Sequence, residues 1–233
     1  MNNEKNNDKN DLPYQYLDTI ARVAETDKSS LHHNYTKIYT RYFDSIKENH
    51  LKFLEIGIFQ GGSVKMWESY FPNADLHFMD INPSLIQYHS LRSRYHYLDQ
   101  SNPHELRQFI ISTGGEFDII IDDGGHLMNQ QITSFLLLFP TLKSGGIYII
   151  EDLHTSYWTH FGGGGTFSLP KSSPGSTIEF LKQAIDDVNF VGARTGCASF
   201  DKASLEVQAK LNMFQKDILS LHFYDSLCII LKR

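Results

Sequence analysis

Two acidic pairs hold most of the chemistry this sequence offers. Asp122-Asp123 closes one apolar stretch in the run Ile121-Asp122-Asp123-Gly124-Gly125-His126, and Glu151-Asp152 closes another, Glu151 standing 28 residues after Asp123. Such stretches read as buried parallel strands, and charge at their ends points into the crevice where open α/β sheets bind ligands. Carboxylates converging there repel one another unless a cation or raised pKa values relieve them. Asp123, Glu151 and Asp152 are hard oxygen donors of the kind an octahedral divalent cation takes, Mg2+ foremost. His126 lies three residues after Asp123, within reach of a hydroxyl poised on the same ion, and imidazole is a competent general base near neutrality. Asp123 and His126 are therefore the catalytic candidates. Helix capping by Asp122 or Asp123 is the competing account.

A second set of residues suits a nucleoside. Glu55-Ile56-Gly57-Ile58-Phe59-Gln60-Gly61-Gly62-Ser63 puts glycines where a strand turns into a helix, so that backbone N–H groups can approach a ligand. The run is neither Gly-x-Gly-x-x-Gly nor a phosphate loop with its lysine. Glu55 sits at the strand end, with Asp80 25 residues on and placed to accept both hydroxyls of a ribose. Asp99-Gln100, after the third strand, suits an adenine amino group, or Asp99 is a solvated strand-end acid. Thr26, beside Asp27-Lys28, is a contact for the cofactor's carboxylate end or a helix cap. Thr26, Glu55, Gly57, Ser63, Asp80, Asp99, Gln100 and Asp122 make up the cofactor-binding set. His154, Tyr157 and Trp158 follow the second acidic pair and line an acceptor pocket or pack a lid.

The elements that must position these residues alternate. Strands are predicted at Leu51 to Gly57, Asp75 to Asp80, Tyr95 to Leu98, Phe117 to Asp122 and Gly146 to Glu151. Helices are predicted at Val64 to Trp67, Asn82 to Arg92, Pro103 to Thr113 and Met128 to Leu142, the last closed by Lys143-Ser144-Gly145-Gly146. Alternation of this kind implies a doubly wound, mostly parallel α/β sheet with right-handed crossovers. Two more helices, Tyr14 to Glu25 and Tyr35 to Ile46, form an N-terminal helical cap over residues 13–50, after a disordered lead at 1–12. The core then runs over 51–233. A lid is expected at about 155–175, around Gly162-Gly163-Gly164-Gly165, then a helix from Ser176 to Val188 and a terminal antiparallel hairpin turning at Asp225-Ser226. Seven strands result, the last antiparallel.

Composition narrows the rest. The 233 residues suit one domain with a full core. Apolar residues make up 41% with no run near the ~18 that a membrane span needs. The polar N-terminus lacks the apolar core of a secretory signal, so a cytoplasmic protein is expected. Only Cys197 and Cys228 occur, which disfavours a disulfide framework or a thiolate metal site, and both are expected reduced and partly buried. A net charge of -6 without basic clusters argues against nucleic acid as a partner. Subunit number stays open, a homo-oligomer included.

Together these residues resemble the class I S-adenosylmethionine-dependent methyltransferases, and more closely the metal-dependent macrolide sugar O-methyltransferases of the mycinamicin type with the related cephalosporin-hydroxylase-like group. The matching stretches are Thr26-Asp27-Lys28, Leu54-Glu55-Ile56-Gly57, Met66-Trp67 with Tyr70-Phe71-Pro72, Asp99-Gln100-Ser101, Ile121 to His126, and Ile150-Glu151-Asp152-Leu153 with Thr155-Ser156-Tyr157-Trp158. The resemblance implies Mg2+ on Asp123, Glu151 and Asp152, His126 as base, and S-adenosylmethionine held by the first glycine loop, Asp80 and Asp99-Gln100. It further implies O-methylation of a hydroxyl on a sugar or other glycosylated small molecule. The alternatives are a non-methylating, cephalosporin-hydroxylase-like relative that binds S-adenosylmethionine, and a nicotinamide-dependent oxidoreductase, for which the first loop lacks the glycine spacing. The large additional N-terminal domain of the mycinamicin type is not expected among these residues, and the segment after Gly162 has no counterpart in the resemblance.

Overall fold

The computed structural model describes residues 11–165, 169–196 and 200–233. The strands are β1 (Lys52–Ile56), β2 (Asp75–Asp80), β3 (Ser93–Tyr97), β4 (Phe117–Asp122), β5 (Leu142–Ile150), β6 (Ile218–Tyr224) and β7 (Leu227–Lys232). They form one seven-stranded sheet in the order β3-β2-β1-β4-β5-β7-β6. β2 with β3 and β4 with β5 pair in parallel, whereas β7 runs antiparallel to both β5 and β6. The doubly wound, mostly parallel sheet with an antiparallel terminal hairpin is thus the architecture the chain adopts.

By internal packing the chain divides into two units. The first holds residues 1–53 and 58–97, with helices α1 (Leu12–Val23), α2 (Thr36–Phe43) and α3 (Gly62–Tyr70). Its core is aromatic. Trp67, fully buried, stacks on Phe71 at 5.5 Å between centroids and meets Tyr39, Phe43 and Phe53 at 5.3 to 5.9 Å. Rings in offset or edge contact at these separations add attraction beyond the area they bury.

The second unit holds residues 54–57 and 98–233. Its core joins Ile119 to Ile121 of β4, Tyr148 to Ile150 of β5 and Cys228 to Ile230 of β7 with Phe135, Leu138 and Phe139. Helix α4 (Pro103–Thr113) starts where the Asn102 side chain accepts from His104 N at 3.0 Å and Pro103 takes a position needing no N–H. It stops at Gly114, whose φ of +77° is the left-handed conformation glycine tolerates. Helices α5 (Met128–Leu138) and α6 (Thr177–Thr195) pack on each other and α6 also meets the short α8 (Met213–Asp217), with the short α7 (Leu205–Ala209) between α6 and α8 along the chain.

Two expected elements differ. Residues 82–92 form only a 3-10 turn at Pro83–Leu85, because the segment's polar groups bond outward instead of along a helix. Gln87 N donates to Gln60 O, Tyr88 OH to Glu68, Ser90 N to Tyr95 OH and Arg92 to Phe71 O. The helix after Met128 ends at Leu138, ahead of the cap expected at 143–146. Pro140 cannot donate an N–H and closes a 3-10 turn, and Lys143 to Gly146 already belong to β5, where the pairing register to β4 shifts. Among the described residues no helix is long and apolar enough to cross a membrane. Cys228 is buried in β7 and burial pushes its thiol up, so it stays protonated and unreactive. Cys197 and the lead at 1–10 lie outside the described residues.

Candidate metal and proton-transfer site

Within the second unit the acids gather in two groups that share Asp123, Asp152 falling in one and Glu151 in the other. The ligand atoms of Asp123, His126 and Asp152 lie within 4.8 Å of one another, as do those of Glu55, Asp123 and Glu151. Asp123 belongs to both sets, so the cluster has a hub. The backbone brings β1, β4 and β5 to it: Asp123 N donates to Ile56 O at 2.9 Å, and Glu151 N to Asp122 O at 3.0 Å. Gly57, at φ +99°, has no room for a side chain, since a Cβ there would overlap the Asp123 carbonyl. Glycine at this position lets the two strand ends meet.

The imidazole faces the same cluster. His126 Nε2 lies 3.4 Å from Asp152 Oδ2 and 3.9 Å from Asp123 Oδ1, with each side chain about one-fifth exposed or less. His126 and Asp152 both hold left-handed backbone conformations, φ +56° and +54°. Such strain in non-glycine residues persists only where neighbours enforce it. The enforcing neighbour is Thr155, almost fully buried, whose hydroxyl lies 3.2 Å from His126 O and 2.8 Å from Asp152 O. Among the described residues His126 Nδ1 is buried with no hydrogen-bond partner, and Nε2 is the nitrogen turned to the carboxylates.

Asp122 points the other way. Side chains alternate across a strand, so adjacent acids at one strand end face opposite sides. Its carboxylate is fully buried: Oδ1 accepts from Gln100 Nε2 at 2.9 Å, and Oδ2 takes a close contact from Ser134 Oγ and a longer one from Tyr148 OH at 3.4 Å. Burial pushes the Asp122 carboxyl above its usual range, while the Ser134 and Gln100 donors pull it back. The Tyr148 hydroxyl is held far above its ordinary value by the same burial and by Asp122.

The residues assigned to the cofactor divide between the units. In the first, Asp80 Oδ2 accepts from Ile58 N at 2.8 Å and Phe59 N at 3.1 Å, and Oδ1 accepts from Asn82 N at 2.8 Å. Asp80 therefore braces the glycine loop, in which Phe59 is left-handed at φ +50° and 63% exposed. Ser63 is buried in the first turn of α3, and buried Thr26 accepts from Lys28 N at 3.4 Å, a turn-forming contact. In the second unit, Asp99 Oδ1 receives Ser101 N and Oγ, both at 2.7 Å, closing the turn into α4. Gln100 is 6% exposed and turned inward on Asp122.

Of the residues expected to line an acceptor pocket, His154 has its Nδ1 in close contact with Ser226 Oγ at the β6–β7 turn, and the neighbouring Leu153 N donates to Ser226 O at 2.9 Å. Trp158 is 42% exposed and meets His154 edge-on at 4.5 Å, with His160 stacked at 5.6 Å and Phe161 at 6.0 Å. Phe161 in turn lies 6.4 Å from His126, so one aromatic row leads to the imidazole. Tyr157 is half-buried with no ring contact among those described, and its carbonyl accepts from Gly165 N at 3.2 Å. Two residues stand at the cluster beyond the metal and base set expected from the sequence: Glu55, expected on the cofactor side, comes to Asp123 and Glu151 from the end of β1, and Phe161, near His126, is separated from the acidic pairs and carries no motif.

Residues 54–153 match the family described as a methyltransferase domain. L-olivosyl-oleandolide 3-O-methyltransferase of Streptomyces antibioticus is 35% identical over 217 residues, covering 90% of this chain and 52% of that protein. Mycinamicin VI 2''-O-methyltransferase of Micromonospora griseorubida is 36% identical over 180 residues, covering 74% and 44%. The solved structure of MycE methyltransferase from the mycinamycin biosynthetic pathway, in complex with Mg, SAH and mycinamycin VI, matches with a TM-score of 0.77 at 30% identity, covering 93% of this chain and 53% of that one. The chain spans about half the length of the curated relatives it matches. These matches agree with the resemblance drawn from the motifs.

Proposed function

We propose that this chain, whose residues 54–153 match a methyltransferase-domain family, is a divalent-cation-dependent O-methyltransferase that takes its methyl group from S-adenosylmethionine and delivers it to a sugar hydroxyl of a glycosylated small molecule. The carrying observation is that Asp123 joins His126 and Asp152 in one group of ligand atoms and Glu55 and Glu151 in another. The donor set fits Mg2+: carboxylate oxygens from separate strand ends, with the buried Cys228 thiol in β7 outside the cluster. Asp123, Glu151 and Asp152 would hold the ion, and Glu55 stands where it can add a fourth carboxylate. Bound there, the cation supplies charge neutralisation and makes a nearby hydroxyl more acidic.

The chain's own residues do the rest. His126 Nε2 takes the proton of the acceptor hydroxyl as its oxygen bonds to the methyl carbon and the carbon–sulfur bond of the sulfonium breaks, and Asp152, 3.4 Å away, stabilises the imidazolium so formed. Positioning is the main contribution, since the methyl donor is already activated. Trp158 and Phe161 offer apolar faces for the C–H side of a sugar ring, directing a hydroxyl at His126. Asp80, with spare acceptor lone pairs, and the Gly57 to Ser63 loop are the cofactor-side contacts in this reading; the lid expected at about 155–175 falls partly, at 166–168, outside the described residues.

The test is transfer of labelled methyl from S-adenosylmethionine to a panel of deoxysugar glycosides, with Mg2+ and with a chelator. Methylation of a glycoside that stops on chelation is the expected result. Chelator-insensitive methylation, or a purified protein that binds neither S-adenosylmethionine nor a divalent cation, overturns the proposal.

A further inference from the structure

The Asp123-to-His126 loop bends through Gly124 and Gly125, and something must fix it before it can present two functional side chains. Gln100, from the turn between β3 and α4, reaches it. Its Oε1 accepts from Gly125 N at 3.0 Å, and its Nε2 donates to Asp122 at 2.9 Å and lies 3.4 Å from Ser134 Oγ. Both ends of the amide are thus engaged inside the protein. Gly124 has no space for a Cβ, which would overlap Gln100 Oε1, so the amide packs directly on the loop backbone. Ser134 is itself anchored on α5, within 2.9 Å of Gln130 O and 3.2 Å of Gln131 O. A fully buried carboxylate with three side-chain donors is held in one place, since each unmet partner costs about 1 to 3 kcal/mol.

We infer that Gln100 is a positioning residue for the metal and base loop, a buried strut between the Asp122–Ser134 pair and Gly125, rather than a contact to the cofactor's adenine. The inference rests on the proposed cation site. Residues one shell behind metal ligands typically change affinity by about 10- to 100-fold when removed.

Two variants separate the readings. Gln100→Met keeps the length and removes both hydrogen bonds. In Gln100→Glu/Asp122→Asn the buried charge moves by one side chain, Glu accepting from Gly125 N and Asn donating back to it. Measured without turnover, Gln100→Met should bind Mn2+ about 10-fold or more weakly by paramagnetic resonance, bind S-adenosylmethionine within about twofold of wild type by calorimetry, and exchange the Gly125 amide faster. The reversed pair should recover Mn2+ affinity to within about threefold of wild type. Mn2+ affinity unchanged in Gln100→Met, S-adenosylmethionine affinity falling as far as Mn2+ affinity, or no recovery in the reversed pair each overturns the inference. A wild-type protein that binds no Mn2+ fails the cation site itself; Gly125 exchange then decides the strut alone, unchanged exchange in Gln100→Met overturning it.

Discussion

Asp122 and Asp123 are neighbours of one residue type at the end of one strand, yet they live in different surroundings. Asp122 is sealed among Gln100, Ser134 and Tyr148, whereas Asp123, about one-fifth exposed, shares its site with His126, Asp152, Glu55 and Glu151. At the end of β5 the pair differs in exposure, Glu151 being 1% exposed and the Asp152 side chain 15%, yet both lie with Asp123. Strand alternation turns Asp122 inward and leaves Asp123 in the open cluster. A buried carboxylate is costly unless its partners are complete, and those partners then stiffen the loop that carries the open one.

The comparison is broken most readily by exchanging the two effects. Asp123→Ala should lower methyl transfer by about 1000-fold or more while shifting the urea midpoint little, because the lost group stands in a polar, partly open cluster. Asp122→Leu should do the reverse in kind. It removes the acceptor that Gln100, Ser134 and Tyr148 share and should cost about 3 kcal/mol in urea unfolding. Equal stability losses in the two variants would mean the two surroundings do not differ as described. His126→Ala should reduce kcat by about 100-fold or more with cation affinity far less affected, as for a base rather than a ligand.

Much of this site could be read in the chain. An apolar run closed by acids marks β4 and the end of β5, since only a strand buried on both faces tolerates such composition. What the sequence does not show is which way a polar side chain turns. Gln100 suits an adenine amino group as well as a neighbouring Asp, and its bonds to Asp122 and Gly125 come from tertiary packing that no local motif announces. Glu55 joins the acids because the β1 and β4 ends touch through Gly57, a contact set by tertiary packing. The misjudged segment at 82–92 has helical spacing, but its polar groups find partners across the fold, whereas Pro140 was a legible stop signal.

Smaller effects sharpen the picture away from the acids. Trp158→Ala should raise KM for a glycoside acceptor about 10-fold and leave S-adenosylmethionine affinity unchanged, which steady-state kinetics and calorimetry would check. On β2 and β3 the His77 and His96 rings stack, with Nδ1 and Nε2 3.0 Å apart. Burial, then His77 and Arg94, lower His96 to about 4 against the pull of Asp75; His77 is lowered by burial, with Lys52 and Arg94 adding to it and Asp75 opposing. A histidine held neutral in the fold contributes stability above its unfolded pKa of about 6.5, lost progressively as pH falls toward 4. Thermal melts should therefore decline over that window, and less steeply in His96→Asn. An identical slope in the variant would remove the role given to this pair.

The central claim is that Asp123 is the hub of a divalent-cation site. Mn2+ titration followed by paramagnetic resonance tests it directly: wild type should take up one ion per chain, Asp122→Asn should retain it, and Asp123→Asn should lose it. Uptake undiminished in Asp123→Asn, or none in the wild type, would contradict it.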